Sequence, residues 1–140
     1  MDLTHALEFA RGRTVGTLAT IRANGRPQLS NILYVVGDDT ITISVTDGRA
    51  KTVNLRRDPR ASLYVVGDNV YQWIVIEASV ELSPVAAVPH DATVDALVAY
   101  YRASQGEHPD WEEYRSAMVA DRRLVLTLRP ERAYGMGLPE

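Results

Sequence analysis

The run Thr40-Ile41-Thr42-Ile43-Ser44-Val45, then Asp47-Gly48-Arg49-Ala50-Lys51-Thr52-Val53-Asn54-Leu55-Arg56-Arg57-Asp58-Pro59, then Ala61-Ser62-Leu63-Tyr64-Val65-Val66, sets a short charged segment between two strands. In the first run Ile41, Ile43 and Val45 alternate with Thr40, Thr42 and Ser44, the period of a half-buried strand whose polar face is open to water or a ligand. The last run is apolar and closes at Gly67-Asp68-Asn69. Between them Thr46 or Asp47 can cap a helix that begins near Arg49, and Pro59 disfavours a further turn after Asp58. Five of the fifteen basic residues, Arg49, Lys51, Arg56, Arg57 and Arg60, fall within this crossover, and Lys51 is the single lysine of the chain. A helix start offers free N–H groups and the positive end of the dipole, so one flanked by Arg49 and Lys51 suits an anion such as a phosphate. The same charges also suit a solvated helix whose Arg56 and Arg57 complement its C-terminal end.

Outward from the crossover, the rest of the chain reads as a frame. Leu3, Ala6, Leu7 and Ala10 predict a short amphipathic helix over residues 2–11, lying on the core. A strand over 15–21 turns at Asn24-Gly25, where both residues tolerate positive φ, into a return strand over 27–36. Gly37-Asp38-Asp39 then leads into the Thr40–Val45 run. Beyond Val66 a long strand over 71–82 is followed by a linker, Pro84 to Pro89. Two helices come next, paired around Gly106: one carries the stripe Val94, Leu97, Val98 and Tyr101, and the other opens with Asp110 and Glu113 as a capping box. A sixth strand, Leu124 to Leu128, ends at Pro130 and leaves Tyr134-Gly135-Met136-Gly137 as a tail. Strands joined by tight turns predict a mainly β fold with minor α: a six-stranded antiparallel barrel, closed or partly closed, with a helical hairpin before the last strand.

Composition removes several functional classes. The 140 residues suit a single domain over 1–140, and a net charge of −3 argues against a general nucleic-acid binder. There are no cysteines, hence no disulfide, thiolate metal site or cysteine nucleophile. No basic leader precedes an apolar run and no stretch reaches the length of a membrane span, so a soluble cytoplasmic protein is expected. His5, His90 and His108 lie far apart without metal-ligand spacing, and no metal is expected. Ser30, Ser44, Ser62 and Ser79 sit outside any G-x-S-x-G elbow, and Glu77 and Glu81 read as a solvent-facing strand side. Tyr71 and Trp73 fall on one face of the fifth strand, where an aromatic pair can wall a planar ring or pack in a core or a subunit contact. No Gly-x-Gly-x-x-Gly or P-loop occurs, so a redox cofactor would have to bind in another way.

Three further motifs occur in a fixed order: Gly16-Thr17-Leu18-Ala19-Thr20, Asn24-Gly25-Arg26-Pro27-Gln28-Leu29-Ser30-Asn31, and Arg49-Ala50-Lys51-Thr52 with Asn54-Leu55-Arg56-Arg57-Asp58-Pro59. With Gly106-Glu107-His108 and Asp121-Arg122-Arg123 downstream, the set resembles the pyridoxamine 5′-phosphate oxidase-like split β-barrel oxidoreductases, closest to their coenzyme F420 (deazaflavin)-dependent branch. The resemblance implies a homodimer with cofactor sites in grooves at the subunit interface. It places Arg49 and Lys51 on the cofactor phosphate with Thr52 at the same helix start. Ser44, Gln28 and Asn31 would lie near the ring and its ribityl chain, and Tyr71 and Trp73 would line the groove. The implied activity is hydride transfer from reduced deazaflavin to a small conjugated acceptor of tetrapyrrole, quinone or nitro-aromatic type, with no catalytic side chain assigned. Two other readings stay open: a flavin mononucleotide (FMN) enzyme like pyridoxamine phosphate oxidase, and an F420 carrier without turnover.

Overall fold

The computed structural model describes residues 1–138. In chain order its elements are α1 (Leu3–Arg11), β1 (Val15–Ile21), β2 (Pro27–Leu33), β3 (Val35–Val36), β4 (Ile41–Thr46), α2 (Ala50–Arg57), β5 (Arg60–Val66), β6 (Trp73–Leu82), α3 (Ala92–Gln105), α4 (Trp111–Ala120) and β7 (Arg123–Met136). The strands form one antiparallel sheet in the order β2-β1-β5-β6-β7-β4-β3. The fold is mainly β, a split barrel with flanking helices and a helical hairpin before the last strand.

Seven strands replace the expected six, because the run over 27–36 changes partners at Tyr34. Its N–H still bonds the β1 side, at Thr14 O (3.0 Å), while Val35 and Val36 pair with Thr42 and Ile41 of β4. The Tyr34 ring is buried, and its hydroxyl donates to Ala10 O of α1 at 2.7 Å. Strands β2 and β3 are thus consecutive in the chain yet lie at opposite edges of the sheet. One residue closes the barrel where no ladder does.

The last strand is also longer than expected. Pro130 does not end it, because Pro130 pairs with Ala78 beside a register shift, where Glu131 is the extra residue. A missing N–H is tolerated at such a bulge. The expected tail Tyr134 to Met136 therefore continues β7 opposite Val75, Ile74 and Trp73. Conversely β6 begins only at Trp73. Tyr71 belongs to the preceding turn, where its N–H donates to Asn69 Oδ1 at 2.8 Å. At the first hairpin only Gly25 has positive φ (+84°), and Gly25 N–H bonds Arg22 O at 2.8 Å. Asn24 needs no left-handed conformation in this turn, which has one more residue than a two-residue loop.

Alternation on β7 separates two cores. Leu124, Leu126 and Leu128 point into the barrel with Ile41, Ile43 and Val45 of β4, where α1 adds Ala6, Leu7 and Ala10. Val125 points the other way and meets Ala86, Val94, Leu97, Val98 and Tyr114 beneath the helical hairpin. Burying a side chain such as Leu97 contributes about 1.5–3 kcal/mol, so this second core holds the hairpin firmly on β7. At the start of α3, Asp91 caps the helix by accepting from Val94 N–H at 2.8 Å. Asp110 caps α4 through Glu113 N–H at 3.1 Å, but the reciprocal bond is missing because Asp110 N–H donates to His108 Nδ1 instead. The stretch from Pro84 to Pro89 is not a free linker. Ala86 N–H bonds Arg123 O at 2.7 Å, and Asp91 Oδ2 accepts from Ala87 and Val88.

Away from the barrel interior, the cross-strand row Asn31-Thr17-Tyr64-Val75-Tyr134 runs beside a second row, Val66-Trp73-Met136. Trp73 sits 6.0 Å from Tyr64 and 6.1 Å from Tyr134, ring centre to ring centre. Val15, Leu29, Val66, Tyr134 and Met136 are all exposed on this side. Among the described residues no helix is long and apolar enough to cross a membrane.

Candidate functional site: a cationic cleft under the helical hairpin

Helix α2 starts differently from expectation. Arg49 occupies the N-cap position without a side-chain capping bond, so neither Thr46 nor Asp47 caps the helix. The Thr52 hydroxyl instead donates to Thr46 O at 2.8 Å, and Asp47 forms ion pairs with Arg56 and Arg122. Those two guanidinium groups hold the Asp47 carboxyl below its usual range, Arg122 contributing most. At its other end the helix is tied to the first hairpin through buried Asn54. Its amide donates to Thr20 Oγ1 at 3.2 Å, and Arg57 donates to Asn54 Oδ1 at 3.0 Å and to Ile21 O at 2.7 Å. These bonds fix α2, and with it the direction in which Lys51 points.

Lys51 points into a cleft of about 380 Å³. Its walls are Asn31 and Leu33 of β2, Ser44 of β4, Tyr100, Tyr101 and Gln105 of α3, Tyr114 and Met118 of α4, and Arg123 at the start of β7. Of the expected site residues the structure brings Lys51, Ser44 and Asn31 together here. Arg49 stands beside them, close enough for its charge to act on Lys51. Thr52 is fully buried at the same helix start, its hydroxyl engaged with the backbone. Gln28 lies outside the cleft, accepting from Thr20 Oγ1 at 3.0 Å and donating to Leu29 O at 3.1 Å. Tyr71 and Trp73 are not in the cleft either, and they do not share a strand face. Trp73 belongs to the outer aromatic row, while Tyr71 is a turn residue that is 72% exposed.

The cleft is cationic and its charges lack partners. Burial, and then the charges of Arg49 and Arg123, lower the Lys51 pKa. None of the ion pairs among the described residues involves Lys51, Arg49 or Arg123, whereas the neighbouring Arg56, Arg60 and Arg122 are all paired to carboxylates. Arg123 reaches only Ser44 Oγ, at 3.4 Å, and its Nε is buried without a hydrogen-bond partner. On β2 the Ser30 hydroxyl is likewise buried and unpartnered. Buried polar atoms are nearly always satisfied, so such orphans mark where a ligand or water completes the structure. Two of the phenols stay protonated near neutrality: burial pushes Tyr114 up to about 12 and raises Tyr100. Tyr114 donates to Leu97 O at 2.8 Å and Tyr100 to Leu33 O at 2.9 Å, so both phenols brace the walls. The arrangement can bind an anion and present aromatic surface beside it. It contains no nucleophile paired with a base, and redox chemistry here requires a bound cofactor.

Arg123, Tyr100 and Tyr114 are site residues that sequence reasoning did not single out. The stripe through Tyr101 spoke for a core, which half of it is, and nothing local in Arg122-Arg123 says which arginine turns inward. The signal was positional: a doubled arginine directly after a helix end, at the start of an apolar strand.

Residues 3–137 match the sequence profile of the pyridoxamine 5′-phosphate oxidase family. The chain belongs to that family. Pyridoxamine 5′-phosphate oxidase-like barrels hold flavin-type cofactors and include oxidoreductases as well as members that are not enzymes. Solved structures with this architecture include a conserved hypothetical protein from Mycobacterium tuberculosis, 26% identical, with a TM-score of 0.74 over 100% of this chain and 90% of that one. An F420 reductase is similar at 23% identity and a TM-score of 0.71, covering 91% of this chain and 94% of the other. HutZ, a heme storage protein from Vibrio cholerae, is similar at 18% identity and a TM-score of 0.71, over 99% and 97%. The last two likenesses show the pyridoxamine 5′-phosphate oxidase fold alone.

Proposed function

We propose that the protein is a coenzyme F420-dependent reductase that transfers hydride to a small conjugated acceptor of tetrapyrrole, quinone or nitro-aromatic type. The observation that carries this reading is the unpaired, half-buried Lys51 at an uncapped helix start, facing a cleft that Ser44 and Asn31 also line. Half-buried cations without counter-ions fit a cofactor phosphate, and a cleft of several hundred cubic ångströms fits part of a ring system beside it. Bound reduced deazaflavin would supply the hydride. The chain's own contribution is orientation: Lys51 and Arg49 hold the anionic end, and Ser44 and Asn31 offer hydrogen bonds further along. The ordered motifs of the sequence support the deazaflavin over other cofactors. Titrating the purified protein with oxidised F420 should quench the cofactor's fluorescence with micromolar or tighter affinity; unchanged fluorescence at saturating protein would sink the reading.

The family match also supports an FMN enzyme, which a flavin spectrum in the protein as purified would favour. An F420 carrier is a third reading, suited to a cleft that holds no nucleophile paired with a base. Tight binding without consumption of reduced cofactor across an acceptor panel would select it. We further propose a homodimer built on the exposed rows around Trp73. Asn31 lines the cleft and also begins one of those rows, so a partner seated there would complete the cleft's rim and bring Trp73 near the ring.

A further inference from the structure

Arg123 is held from three directions but has no counter-ion. Its backbone pairs with Thr46 at the end of β4, and its carbonyl accepts from Ala86 N–H at 2.7 Å. The residue before it, Arg122, adopts a left-handed φ of 53° and is locked to Asp47. Asp47 is the acid next in the chain to Thr46, and its two carboxylate oxygens are already engaged by Arg56 and Arg122. The guanidinium of Arg123 is left with one long approach to Ser44 Oγ and an orphaned Nε. A half-buried guanidinium without an anion is costly, and its planar fork suits a phosphoryl or carboxylate group. Lys51 lines the same cleft, also without an ion-pair partner among the described residues.

We propose that Arg123 is a second anion ligand of the cleft alongside Lys51, and that together they select a ligand end carrying two negative charges over one carrying a single charge. The two charges could sit on one phosphate monoester, as in FMN, or on a phosphodiester with a neighbouring carboxylate, as on a deazaflavin side chain. The inference rests on the reading of this cleft as the holder of a cofactor's anionic end. Its test needs no cofactor.

Because Lys51 is the only lysine, protein grown on ε-¹³C-lysine gives a single lysine side-chain resonance. Inorganic phosphate at pH 7.5 should shift that resonance at concentrations about tenfold below those needed with the monoanion dimethyl phosphate, at constant ionic strength. Arg123→Gln should raise the half-saturating phosphate concentration by about ten- to hundredfold, the worth of one charge-assisted hydrogen bond, and abolish the preference. It should also move the Lys51 titration midpoint upward in the ligand-free protein. Arg123→Lys, which keeps the charge but loses the fork, should retain part of the preference. An Arg123→Gln protein with the wild-type phosphate titration and Lys51 midpoint overturns the proposal. If that variant does not fold, the wild type decides alone: equal response to the two probes overturns it. Failure of both F420 and FMN to bind, with phosphate still read at Lys51 through Arg123, removes the cofactor reading and keeps this one. Cofactor binding that is indifferent to Arg123→Gln does the reverse, and parallel titrations with FMN and F420 show which of the two sources supplies the charges.

Discussion

Lys51 shows how one side chain can serve binding against stability. Its pKa lies below 10.5 because burial, Arg49 and Arg123 all disfavour the charged form. The unfolded chain therefore binds this proton more tightly than the folded one. Stability attributable to Lys51 consequently rises as pH climbs from the folded-state value toward 10.5, and at neutral pH the charge opposes folding. Lys51→Gln should raise the melting temperature of the ligand-free protein near pH 7, by an amount that shrinks as pH approaches 10.5, in melts recorded side by side with the wild type. The same substitution should weaken binding of F420 or phosphate at least about tenfold. A lower melting temperature with unchanged binding would mean that Lys51 is a structural residue. Asp47 has the opposite sign. Its carboxyl is held below 3.8 by Arg122 and Arg56, so its contribution is complete above 3.8 and is lost as pH falls through its folded-state value. Asp47→Asn should therefore destabilise the protein at pH 7 and make progressively less difference in acid melts below pH 3.8.

At the scale of elements, the helical hairpin isolates one conformational effect. Gly106 joins its two helices at φ +84° and ψ −155°, a region that residues with a Cβ rarely enter, and an added Cβ would meet no atom within 4 Å. Gly106→Ala should cost about 1–3 kcal/mol from backbone strain alone, seen as a lower denaturation midpoint with an unchanged m-value. Loss of the Tyr100 and Tyr114 wall should accompany any local detachment of the hairpin. The hairpin was legible in the sequence because apolar spacing, Asp110 and Gly106 are local signals. So were α1, β1 and the crossover helix. What was not legible depends on distant partners. Residues 27–36 carry an unbroken strand pattern, and only the burial of Tyr34 against α1 reveals the change of neighbours. Pro130 carries a stop signal that a bulge opposite Ala78 overrides. The same holds for the site. Lys51 stood out by composition, and Ser44 by alternation, whereas Tyr71 and Trp73 were separated by a turn and Arg123 was chosen over Arg122 by strand direction.

On the scale of the whole molecule, the outer aromatic rows make a claim about assembly. Tyr64, Val66, Tyr134 and Met136 are 41–51% exposed on one side of the sheet, with Trp73 between them. If a second copy covers this side, Val66→Lys should convert a dimer to a monomer in sedimentation velocity without unfolding it, since Val66 is exposed on the outer side of the sheet and outside both cores. A wild-type monomer at tens of micromolar would dispose of the dimer. The cleft lies at the seam where β2 approaches β4 across the barrel, below the Tyr34 crossing and latched by Tyr100 on Leu33 O. Alternate N–H groups of β2 point away from β1, with no strand to receive them on that side. Widening the seam breaks no rung of any ladder, so admitting a ligand need cost only local adjustment. Those same amides form a built-in gauge: their deuterium uptake is set by water in the gap and should slow when something fills it, residue by residue, whatever that occupant proves to be.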